Sequence, residues 1–149
     1  MYAIQSGSKF IKVDYYIDPN EVWNVVVTAT PKTYKSRVVA ERELQRMNEW
    51  LDHRIARAEE VIEGKEAFVA KNKKEVIRLE AKLEGLLDLP FREVEKKVEQ
   101  VRKAIAKAGS EVGSSTPSIR SYKQDLARYQ RIKSSGAAVV LIRQTVEAL

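Results

Sequence analysis

Residues 91–112 read FREVEKKVEQVRKAIAKAGSEV, and the spacing of their apolar positions decides how this chain folds. Phe91, Val94, Val98, Val101, Ile105, Ala108 and Val112 recur at alternating steps of three and four residues. A 3.5-residue period lays a narrow apolar seam along a helix, and the seam of a second helix buries it. The preceding stretch carries the same rhythm through Ile55, Ala58, Ile62, Val69, Val76, Leu79, Leu83 and Leu86. Most of the chain therefore reads as helix made to lie on helix. Lys65 and Asn72 interrupt the earlier seam at core-type positions. Polar residues there either set register and oligomer state or mark a stretch that no partner helix covers.

Towards the N-terminus the stripe widens. Val39, Leu44, Met47, Leu51 and Ile55 follow helical spacing, and Val38 and Trp50 broaden the face as a helix lying on a sheet requires. Ser36 offers an N-cap hydroxyl, and no proline intervenes before Pro90, so a helix is expected from 37 to about 87. Gly64 is its weak point, at about 1 kcal/mol relative to Ala. Asp88-Leu89-Pro90 ends it and starts a second helix, expected over 90–108 and antiparallel to the first. Gly109 to Thr116 reads as a Gly/Ser-rich loop, and Thr116-Pro117 as the start of a third helix carrying Ile119, Tyr122, Leu126, Tyr129 and Ile132. Ser134-Ser135-Gly136 is a break. Beyond it, Ala137–Leu149 is expected to be a last helix seamed by Val139, Ile142, Val146 and Leu149, with a strand over 138–142 as the competing reading, because a short apolar run fits both.

The first thirty residues read as β-structure. Tyr2-Ala3-Ile4 is followed by a turn at Gly7-Ser8, and residues 9–17 place Ile11, Val13, Tyr15 and Ile17 on one face. Asp18-Pro19-Asn20 is a turn, and residues 22–30 put Trp23, Val25, Val27 and Ala29 on one face. The expected fold class is α+β: an N-terminal antiparallel β-hairpin or small sheet packed on a long α-helix that continues into an antiparallel helical coiled coil. The chain reads as a single unit with a β-hairpin module at 1–35, the long helix at 36–88 and a helical hairpin or bundle at 89–149.

Composition narrows the class of function. The charged fraction of 32% exceeds the roughly 25% of ordinary globular domains, as slender helices with wet outer faces require. Cysteine is absent, which excludes disulfide and thiol chemistry. Met1–Ser6 lacks the pattern of a signal peptide, and the longest apolar run, Ala137 to Ile142, falls short of the ~20 residues a spanning helix needs. A cytoplasmic protein with no membrane partner is expected. The net charge of +6 lies in the last part of the chain, since 1–35 carries +1, 36–88 carries −1 and 89–149 carries +6.

No catalytic residue, cofactor or metal site is expected. His53 is the only histidine and completes neither a triad nor a metal set. Gly7-Ser8-Lys9 lacks the upstream glycine of a phosphate loop and opens a strand. Glu59, Glu60 and Glu63 stand among Arg54, Arg57 and Lys65 at the spacing of a solvated helix face. The basic residues are the more pointed feature. Lys96, Lys97, Arg102, Lys103 and Lys107 line the expected second helix, and Arg120, Lys123, Arg128, Arg131 and Lys133 the third. If those helices were neighbours, the ten side chains would merge into one phosphate-binding surface, the alternative being an ordinary solvated face diluted by Glu93, Glu95 and Glu99. Tyr122 and Tyr129 either stack on bases or pack in the seam with Leu126.

The pattern Tyr2-Ala3-Ile4, Gly7-Ser8-Lys9-Phe10-Ile11-Lys12, Trp23, Thr33-Tyr34-Lys35-Ser36 and Ala40-Glu41-Arg42 resembles the opening module of small orphan accessory proteins of phages and mobile elements. That resemblance implies a stoichiometric binder of host machinery, such as an inhibitor of CRISPR nucleases. It implies no catalytic residue. The basic charge speaks against a nucleic-acid mimic. The expected function is a non-catalytic protein that binds another protein through Phe10, Tyr16 and Trp50, with nucleic-acid binding by the basic second half as the alternative. A homo-oligomer is also expected, because a nineteen-residue second helix would leave part of the long seam exposed.

Overall fold

The computed structural model describes residues 1–16, 21–89 and 94–142. In chain order these form β1 (Tyr2–Ser6), β2 (Lys9–Tyr15), β3 (Val22–Thr28), α1 (Arg37–Leu87), α2 (Val94–Ser134) and β4 (Ala138–Leu141). The fold is α+β, an antiparallel four-stranded sheet with two long helices that pack against each other. Chain contacts divide it into two compact units, one of Met1–Arg57 with Leu126–Leu149 and one of Ala58–Asp125.

In the first unit the strand order is β3-β2-β1-β4, with every pairing antiparallel. Gly7 takes a φ of 61° in the β1–β2 turn, a conformation that costs a residue with a Cβ but not glycine. β2 and β3 form the expected hairpin in the register Ile11↔Val27 and Val13↔Val25. Its far end carries a bulge, because Asp14 pairs with Asn24 while Tyr15 pairs with Val22. The extra residue is Trp23. A bulge turns one side chain out of the alternation, so Val22 takes the core-facing place and Trp23 lies exposed against Tyr16. This corrects the expectation that Trp23 shares the buried face with Val25.

The sheet's inner face is covered by both helices. Ile4, Ile11, Val13 and Val25 pack with Met47 and Leu51 of α1 and with Tyr129 and Ile132 of α2. Trp50 meets Tyr129 edge to face, with centroids 5.4 Å apart and planes at 85°. One charged pair enters this unit at depth. Glu43 is buried, and Lys32 donates to its Oε1 at 3.1 Å and to the Val13 carbonyl at 3.2 Å. The Lys32 ammonium also lies 5.3 Å from the Tyr15 ring centre and 5.5 Å from that of Tyr34. Burial first, and then Glu43, pushes the Tyr15 phenol up to about 12, with Arg46 opposing.

Over 138–141 the expected last helix is replaced by the competing strand. After α2 ends, Gly136 takes a φ of 69°, the left-handed geometry that stops a helix. The chain then pairs with β1 in the register Ala3↔Val140 and Ile4↔Val139. Ile4 and Ala3 are fully buried, so β1 offers a finished strand whose open edge captures a β-branched run.

In the second unit α1 and α2 run antiparallel. Lys65 lies 5.9 Å over the Tyr122 ring, and Lys123 pairs with Glu66 at 2.8 Å. That register brings Leu79 level with Ala108, and both are buried, as are Ala58, Ile62 and Val101. Lys65 therefore faces α2 instead of an uncovered gap, and Asn72 folds back to the Phe68 carbonyl at 2.9 Å.

Two expectations about the second half are overturned. The loop at Gly109–Thr116 and the separate third helix do not form, since α2 is one helix of 41 residues with Pro117 inside it. The seam explains this. Val112, Ser115 and Ile119 continue the half-buried side of α2, while Gly113, Ser114, Thr116 and Pro117 sit on its exposed side. There the carbonyl that loses a donor to Pro117 remains open to water. Thr116 and Ser114 donate to the carbonyls of Val112 and Glu111, at 2.9 and 3.2 Å, instead of opening a turn. For the same reason the nineteen-residue partner helix, on which exposure of the seam rested, is not present. Ile17, the turn at Asp18-Pro19-Asn20, the start of the second helix at Pro90-Phe91, and Val146 and Leu149 lie outside the described residues.

Candidate interaction groove

Arg46, Glu49, Trp50, His53, Arg54 and Arg57 line one flank of α1 in the first unit, and Tyr16, Glu21 and Val22 face them. Between them lies an open groove of about 610 Å³. Its helical wall follows from spacing. Met47 and Leu51 are buried in the core, and the positions just before each, 46 and 50, fall beside that stripe together with 53, 54 and 57. Its opposite wall follows from the bulge, which sends Val22 inward and leaves Tyr16 exposed past the end of β2.

The groove is braced. Trp50 is held edge-on by Tyr129, and the Arg54 guanidinium lies 5.2 Å from the centre of the Trp50 ring. Tyr16 leans on Trp23 with centroids 6.4 Å apart. Arg46 reaches towards the Tyr15 phenol, whose proton it helps to loosen. Glu49 accepts a hydrogen bond from Gln45 at 3.2 Å. The lining is thus aromatic and cationic, with two carboxylates among its residues.

Of the three residues expected to bind protein, the structure brings Tyr16 and Trp50 to this groove. Phe10 alternates with Ile11 and Val13 and therefore lies on the sheet's other face, partly covered. The sequence reading puts Arg54 and Arg57 only on a solvated helix face and does not name Arg46, although the spacing of all three with Trp50 on a helix was available. His53 is exposed at the groove. Among the described residues no cluster of His, Cys, Asp and Glu fits a metal ion.

The ten basic residues fall along one helix instead of on two neighbours. All are exposed. At about 100° per residue in the second unit, Lys96, Lys103 and Lys107 share one side, Arg102 and Arg120 a second, and Lys97 and Lys123 flank the seam, while Arg128, Arg131 and Lys133 belong to the first unit. Several are engaged: Lys103 with Glu99 at 3.9 Å, Lys123 with Glu66, Lys133 with Asp52, and Arg128 over Tyr129 at 5.0 Å. Tyr129 is a core residue, and Tyr122 is partly exposed beside Lys65. No helix among the described residues is long and apolar enough to cross a membrane.

Compared with known proteins, the chain matches no protein family, no curated protein and no solved structure. The class that can be stated is the fold itself: an antiparallel sheet bearing a two-helix antiparallel hairpin.

Proposed function

We propose that this is a non-catalytic binding protein that engages another protein through the Tyr16–Trp50 groove. The observation that carries the reading is the lining itself. Trp, Tyr and Arg dominate the energetic centres of protein interfaces, where a rigid aromatic body gives large contact area at little entropic cost. Here Trp50 and Arg54 are stacked in advance, and Tyr16 stands 52% exposed across from them. The N-terminal resemblance supports a narrower form of the same reading, a phage-type inhibitor of a host defence system such as a CRISPR nuclease.

The test is quantitative capture of partners from host extract with the wild type and with a Tyr16→Ala/Arg57→Ala variant. Both side chains are exposed, so an unchanged far-UV spectrum is expected. The reading requires the variant to lose a stoichiometric partner, and an unchanged set of bound proteins would refute it.

Nucleic-acid binding remains the alternative, supported by the exposed cations along α2. Neutralising Lys96, Lys97, Lys103 and Lys107 together should then weaken binding and flatten its salt dependence. A wild-type protein that binds neither DNA nor RNA at low salt removes this alternative.

A further inference from the structure

We infer that the groove takes an extended acidic segment of the partner protein, with two carboxylates four residues apart and an apolar side chain midway between them. The inference rests on the protein-binding reading above and narrows the partner's chemistry.

The repeat of this helix flank matches that of an extended chain. Arg46, Trp50 and Arg54 follow one another at four-residue steps along α1, which is about 6.0 Å of axial rise per step. In an extended chain, side chains that share a face recur every second residue, about 6.6 Å apart. A strand laid along this flank therefore presents positions i, i+2 and i+4 to Arg46, Trp50 and Arg54 in turn. Carboxylates at i and i+4 meet the two guanidiniums, and an apolar or aromatic residue at i+2 meets the indole. Arg57, one turn further on, extends the cationic end by about 4.5 Å.

The walls favour such a ligand over other anions. The indole is fixed by Tyr129 on one side and stacked by Arg54 on another, so the anchor site is formed before binding. Glu21 and Glu49 stand in the same lining. They oppose a continuous phosphate backbone, which places a negative charge at every unit, but tolerate a peptide whose carboxylates alternate with neutral residues.

The test uses fluorescein-labelled peptides and anisotropy at about 50 mM salt, where surface charge is weakly screened. The probe is Gly-Glu-Ser-Phe-Ser-Glu-Gly. Its control is the permuted Gly-Glu-Glu-Ser-Ser-Phe-Gly, equal in composition and charge. The probe is expected to bind at least about tenfold more tightly than the permuted peptide. Arg54→Glu should lower its affinity at least about tenfold, whereas Lys103→Glu, the same charge change in the other unit, should leave it within about twofold. Failure of the probe to bind, equal binding of the permuted peptide, or equal losses from the two charge reversals would each overturn the inference. Equal or tighter binding of a short oligothymidylate that depends on Arg54 would overturn it in favour of nucleic acid. If capture in extract still requires Tyr16 and Arg57 while the probe does not bind, protein binding stands and the extended acidic occupant falls.

Discussion

Replacing Lys32 by Met should destabilise the first unit far more than a surface lysine normally does. Lys32 holds the Glu43 carboxylate at 3.1 Å, and Glu43 is only 6% exposed. The Met keeps most of the aliphatic stem but strands a buried negative charge that cannot rehydrate in place. Breaking a buried ion pair from one side costs ~3–5 kcal/mol. The Lys32 side chain is 34% exposed, so solvent already shares the charge and the low end, about 3 kcal/mol, applies. At roughly 2–4 °C per kcal/mol for a chain of this length, the melting temperature should fall by about 6–12 °C. Adding Glu43→Leu removes the stranded charge. The double variant should recover most of that loss and lie within about 2 kcal/mol of wild type, because what is then missing is the bond to the Val13 carbonyl, the ammonium's contacts with the Tyr15 and Tyr34 rings and the Glu43 carboxylate beside the Tyr15 phenol. Urea unfolding followed by tryptophan fluorescence and far-UV circular dichroism measures all three proteins. A cost below about 1 kcal/mol for Lys32→Met, or a double variant as unstable as the sum of the singles, would refute the buried-pair argument.

Pro117→Ala should raise stability by about 1–3 kcal/mol in thermal melts, since it restores a helical donor inside α2, and no gain would mean that the helix is already broken there. Gly136→Ala should lower stability by about 1 kcal/mol in urea titrations, because its φ of 69° disfavours a Cβ. Tyr15 contributes stability only while its phenol is neutral. Its proton is held up to about 12 against a usual 10, so that contribution is complete below pH 10 and is lost as pH rises towards 12. Tyr15→Phe should remove this part of the alkaline slope, and an unchanged slope between those pH values would contradict the assignment.

Local periodicity by itself determined most of the elements. The seam residues, the stripe from Val39 to Ile55 and the absence of proline before Pro90 were enough to place α1 within a residue of its observed ends. Alternation placed β2 and β3, because strand and helix periods are properties of the chain's own geometry. What the tertiary structure alone decided were the cases in which local signals were weak or misleading. Ala138–Leu141 became a strand because β1 offered an edge, and the paired residues Ala3 and Val140 stand 137 positions apart in sequence. Gly109 to Pro117 stayed helical because an antiparallel neighbour covered one side of it and water reached the other, which offsets the cost of its poor helix formers. The groove needed both kinds of information. Trp50 and its arginines lie on a helix face that spacing could show, but Tyr16 faces them from the end of β2, beside the bulge at Trp23, and pairing register is a property of two strands rather than of either one.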